Sequence, residues 1–194
     1  MRKPATTDHP ILPLLSERWS PRAFASTPVP DELLSRLFEA ARWSPSCFNE
    51  QPWSFVVGSS LRPDDHARVL SLLSAGNVAW ARRAPVLVIG VTRTRFAHND
   101  KPNAWAWYDL GQSMAHLSVQ ASSEGLYVHQ MAGFDRERAA EVLGLPEGWE
   151  AAVAMAVGYE GDVSLLSEAQ AEKEVAPRVR KPQSAFVFQG KIEG

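Results

Sequence analysis

A single long helix most constrains what this chain can fold into. Between Asn103 and Glu124, the residues Ala106, Leu110, Met114, Leu117 and Ala121 recur at spacings of three and four, the repeat of one helix face. Asp109 and Glu124 are the only acids in that stretch, so the helix is expected to be central and buried. "APVLVIGV", residues 84–91, is short, β-branched and apolar on both faces, which predicts a strand covered from both sides. "SFVVG" (54–58), "GLYVHQM" (125–131) and "WEAAVAMAVGY" (149–159) predict three more strands. "PILPLLSERW" suggests a short helix. Pro30 suits a first helical turn, followed by Asp31 and Glu32 where the helix dipole favours acids. Leu33, Leu34, Leu37, Phe38 and Ala41 supply that helix with an apolar face. "DDHARVLSLLSAG" reads as one helix closed by Gly76, and "DRERAAEVLG" as another, with Asp135 as N-cap and Gly144 as its stop. The tail "PRVRKPQSAFVFQG" reads as basic and then apolar and extended. The order predicts an α+β arrangement around one small sheet, as one domain over residues 1–194.

Composition narrows the functional classes. A net charge of −2 offers no electrostatic case for nucleic acid or an acidic membrane surface. The single cysteine, Cys47, excludes an intrachain disulfide and suits a reducing cytosol. No apolar run is long enough to span a bilayer, and "MRKPATTDHP" lacks the apolar core of a signal peptide, so the expected location is the cytoplasm. The five histidines never stand at metal-ligand spacing, and no metal site is expected. Neither a G-x-S-x-G elbow nor a G-x-G-x-x-G or P-loop pattern occurs.

Four polar clusters at the edges of regular elements remain. "SPSCFNEQPW", residues 44–53, crowds hydrogen-bonding groups onto a stretch that two prolines are expected to hold extended. "RWSPRAF" sets Arg18 and Arg22 around Ser20, a pattern that could clamp a phosphate. In "HQMAGFD", Gly133 allows a backbone to approach a flat ligand closely. "RVRKP" carries Arg178, Arg180 and Lys181. Taken singly, each fits a blander role as well: a connector, a solvated helix end, a strand-to-helix turn, a solvated charge run. Cys47 as a nucleophile is a further alternative, without a histidine nearby in sequence.

Together the clusters resemble the nitroreductase family of flavin enzymes, over most of the chain from about Glu17 to Gln183. "RWSPRAF" looks like the family's R-x-S-x-(R/K)-x-F element, and "PSCFNEQPW" like its P-S-x-x-N-x-Q-P-W loop. "NVAWARRAPVLVIG", "GFD" ahead of a helix, and a late R-x-R-x-P-Q follow in the family's order. Three residue departures stand out: Trp80 where many members have lysine, Ala132 where many have glutamate, and Cys47 in place of a small polar residue, which could make the site sensitive to oxidation.

The resemblance implies an intertwined α+β homodimer with a mainly antiparallel central sheet and FMN at the interface. It implies that Arg18, Ser20 and Arg22 hold the ribityl-phosphate and the pyrimidine end of the ring, with Trp19 contributing mainly its backbone. Pro45, Ser46, Cys47 and Asn49 would reach the flavin from the partner chain, and Asn77 would face its polar edge. Met131, Ala132 and Gly133 would lie beside the isoalloxazine, and Arg178 and Arg180 would complete the phosphate site. The implied activity is hydride transfer from NADH or NADPH to nitroaromatics, quinones or similar small acceptors by a ping-pong scheme, with no side-chain catalytic residue. Two other readings stay open: a specialised flavin enzyme (dehalogenating, dehydrogenating or flavin-degrading), and a flavin-binding protein without turnover. "FAHNDKPNAWAWYD" is either a cover for the site or part of a dimer core.

Overall fold

The computed structural model describes residues 3–192; the ends of the expected 1–194 unit lie outside the described residues. Four strands form one sheet: β1 Trp53–Ser59, β2 Val86–Arg93, β3 Tyr127–Met131 and β4 Trp149–Gly158. Their order is β1-β2-β4-β3, and every neighbouring pair is antiparallel. The helices are α1 Pro13–Glu17, α2 Asp31–Arg42, α3 Pro63–Leu70, α4 Ala75–Ala81, α5 Ala106–Ser123, α6 Arg136–Val142 and α7 Glu168–Val175.

Strand β2 lies between two hydrophobic layers, as its two-faced apolar pattern predicts. Leu87, Ile89 and Val91 join one core with Val69, Leu72, Trp80 and Met131. Val86 and Val88 join the other with Leu34, Leu37, Leu110, Met114 and Leu117 from α2 and α5. Alternate side chains of a strand face opposite sides, so helices on both faces are what this strand requires. Among the described residues, no helix is long and apolar enough to cross a membrane.

Several local expectations are corrected. Residues 64–76 do not form one helix. Helix α3 ends at Leu70, and Gly76 lies inside α4 rather than closing a helix. The chain leaves the helix because residues 72–74 pair elsewhere: Leu72 O accepts Asp135 N–H at 2.9 Å, and Ser74 N–H reaches Gly133 O at 3.0 Å. Pro30 precedes the first turn of α2 as its N-cap instead of occupying that turn. Helix α5 buries only one face. Trp107 and Tyr108 are exposed on the other, so within a single chain it is not the fully covered helix that its composition predicts. The tail contains a 3-10 turn, Gln183–Ala185, and is not extended throughout. The capping of α6 by Asp135, which accepts Arg138 N–H at 3.0 Å, is as predicted.

Candidate functional site

Two of the sequence clusters converge although some 160 positions separate them. Arg18, Ser20, Arg22, Arg178 and Arg180 line one concavity of about 270 Å³, next to Lys3. Arg18 Nη1 lies 3.5 Å from Ser20 Oγ. Burial, and after it the charge of Arg180, lowers the pKa of Arg18. Arg178 is likewise lowered, by burial first and then by Arg18 and Arg180. Arg180 disfavours the charge of both Arg18 and Arg178, and Arg18 that of Arg178, so the pocket suits an anion, which would relieve the repulsion. Arg178 also has structural work: its Nη1 donates to Lys3 O at 2.8 Å and Ser16 O at 2.7 Å. The Trp19 ring is buried, edge-on to Tyr127, and its Nε1 has no hydrogen-bond partner.

Strand β3 leads from this pocket to the second cluster. His129 Nδ1–H donates to Pro21 O at 2.8 Å, binding the 18–24 segment along the sheet edge. Burial lowers the His129 pKa most, the Pro21 carbonyl opposes that, and Arg22 lowers it further. Two residues on, Met131 is buried and Ala132 is exposed. Asn77 Nδ2 donates to Gly133 O at 2.9 Å. A Cβ on Gly133 would stand 2.7 Å from Asn77 Nδ2 and 2.8 Å from Ser74 Oγ, so a larger residue here would displace these two side-chain tips at the start of α4. Trp80, the departure from lysine, is core: its ring is 4.6 Å from His129 and stacks on Phe24.

The loop with Pro45, Ser46, Cys47 and Asn49 lies elsewhere. It precedes β1, at the opposite edge of the sheet from β3, three strand spacings or roughly 14 Å away. Nor is it extended, as the two prolines suggest. Cys47–Asn49 form a 3-10 turn, and Phe48, Asn49 and Gln51 all take positive φ, at 54°, 56° and 51°. Each such non-glycine residue costs on the order of 1 kcal/mol or more, so surrounding bonds must impose the shape. They do: buried Asp109 accepts Cys47 N–H at 3.1 Å, and Ser46 Oγ accepts Gln51 N–H at 3.0 Å. Burial raises the Asp109 pKa, and the Cys47 bond opposes it.

Sequence reasoning missed Glu174 and Asp109 as builders of these clusters. Glu174 sits in the charged run AEKE, residues 171–174, and no local signal marks it as buried.

The sequence profile of the nitroreductase family matches residues 15–159. The chain belongs to the nitroreductase family. Among solved structures, an oxidoreductase described as containing FMN is 36% identical to this nitroreductase-family chain, with a TM-score of 0.93 over 98% of this chain and 96% of that one. An NADH dehydrogenase of Thermus thermophilus is 30% identical over 178 residues, covering 75% of this chain and 84% of the relative. An uncharacterised 15.4 kDa protein of Mycolicibacterium smegmatis is 31% identical over 135 residues, 70% of this chain and 89% of its own length. The α+β fold with its antiparallel sheet is thus that of the family.

Proposed function

We propose that this nitroreductase-family protein binds FMN and uses NADH or NADPH to reduce nitroaromatics, quinones or similar electron-poor small molecules, as a single-domain cytoplasmic homodimer. The observation that carries the reading is the arginine pocket: Arg18, Arg178 and Arg180 line one concavity, where a phosphate would satisfy three like charges. The FMN named for the 36%-identical structure and the NADH named for the Thermus relative supply the chemical identities.

FMN, when bound, accepts and returns a hydride. The protein's part is to bind, orient and bias. Arg18, Ser20, Arg178 and Arg180 hold the phosphate and ribityl end, and Trp19 lends its backbone. Met131, Ala132 and Gly133 form a wall that a flat ring can approach, steadied by the Asn77–Gly133 bond. Arg22 contributes positive charge where the reduced ring is negative. Pro45, Ser46, Cys47 and Asn49 close the site from a second copy, because their own chain holds them at the far sheet edge. Exposed rings support that pairing: Trp43, Phe48, Trp105 and Tyr108 are each more than half accessible in one chain. Donor and acceptor use the same pocket in turn, and no side chain is needed as a general acid.

The test is anaerobic titration of the purified protein with NADH and NADPH. The expected protein is yellow, carries one FMN per chain, bleaches with nicotinamide and recovers colour with a quinone or nitroaromatic. A colourless protein that takes up no added FMN refutes the reading; a yellow one that neither nicotinamide bleaches is a binding protein only.

A further inference from the structure

Among the described residues lining the arginine pocket, Glu174 is the only acid, against six cations. It is 1% exposed. Its Oε1 accepts Arg22 N–H at 2.7 Å and Ala23 N–H at 3.0 Å. Among the described residues its Oε2 has no hydrogen-bond partner, and it stands 4.0 Å from Arg22 Nη1. Capping two backbone amides needs only a neutral acceptor. A buried carboxylate with one oxygen left over is more than that task requires, and buried polar groups without partners are rare enough to call for a reason.

We propose that Glu174 is a positioning residue of the flavin site: it fixes the Arg22–Ala23 backbone through one oxygen and, through the charge of its carboxylate, offsets Arg22 and so lowers the reduction potential of bound FMN. The inference rests on the FMN reading above. Arg22 favours the reduced, negatively charged ring, and an anion 4.0 Å from its guanidinium weakens that preference. The backbone bonds and the charge are separable by substitution, because a carboxamide keeps an accepting oxygen for the two amides and loses the charge.

Two substitutions separate them. Glu174→Gln keeps an acceptor of the same reach and removes the charge. Glu174→Asp keeps the charge and falls short of the two amides. FMN affinity, the midpoint potential of the bound flavin and the melting temperature of the flavin-free protein are measured for each. Glu174→Gln is expected to bind FMN at least as well as wild type, with the reduced-to-oxidised affinity ratio raised about tenfold, an upward shift of about 30 mV for a two-electron couple. Glu174→Asp is expected to bind FMN about tenfold more weakly, with a smaller change in potential than Glu174→Gln because the charge is kept. A Glu174→Gln protein that holds FMN at the wild-type potential overturns the proposal and leaves FMN binding intact as a reading. If Glu174→Gln does not fold, Glu174→Asp decides, and wild-type FMN affinity in that variant is the overturning result. A wild-type protein that binds no FMN removes the proposed function and this inference with it.

Discussion

Arg178 and Arg180 stand two residues apart and line one concavity, yet their bonds assign them different work. Arg178 donates to Lys3 O and Ser16 O, tying the N-terminal segment to the tail, whereas Arg180 donates only to the neighbouring Val179 O. Arg180→Ala should therefore weaken FMN binding about tenfold or more while the flavin-free protein melts as wild type does. Arg178→Ala should weaken binding and also lower that melting temperature. Equal melting of the two flavin-free variants would contradict this division, and calorimetry reads it directly. Cys47→Ser should keep both FMN and most turnover, because only the Cys47 backbone is tied, to Asp109; a dead but still yellow variant would make the thiol a nucleophile. His129 sets a pH dependence. Its folded pKa lies below the ordinary value of about 6.5, so the folded state prefers the neutral ring. Its contribution to stability is full above about 6.5 and is lost as pH falls from there through the lowered folded value. His129→Phe should flatten the denaturation midpoint across that window; an equally steep wild-type and variant profile would assign the effect elsewhere.

Elements succeed or fail on how closely they approach. The strip around Arg22 is held against the end of β4 by Gly161 N–H donating to Ala23 O at 2.8 Å, with Phe24 paired to Glu160. A Cβ on Gly161 would lie 2.5 Å from the Phe24 carbonyl carbon, and backbone cannot yield as a side-chain tip can. Gly161→Ala should cost about 1–3 kcal/mol of stability and loosen FMN, read as a lower denaturant midpoint and a paler protein; wild-type stability would show that the strip is not clamped there. The strands and α5 were legible because periodicity reports burial, and β2 announced helices on both its faces by being apolar on both. The break between α3 and α4 was not legible, because it depends on pairing with residues 133–135, far along the chain. The same limit governs the site. Arginine and glycine patterns marked most parts of the proposed site, but the hold of Asp109 on the Cys47 turn and the burial of Glu174 depend on tertiary neighbours that no local window contains.

At the scale of the whole molecule, the arginine pocket and the Cys47 loop occupy opposite edges of one sheet, and one chain cannot fold them together. Under the proposed function FMN is held by two copies, each lending its loop to the other's arginines, and sedimentation should find a dimer. Co-expression tests the shared site most directly. One chain carries Arg178→Ala/Arg180→Ala, the other carries Cys47→Trp to obstruct the loop, and different tags isolate the mixed pair. Each altered chain alone should bind little FMN. The mixed dimer joins one intact loop to one intact arginine pocket, so it should hold about one FMN per dimer and recover NAD(P)H-dependent bleaching. A mixed dimer as empty as either parent, or a stable monomer that is fully loaded with FMN, would contradict the shared site.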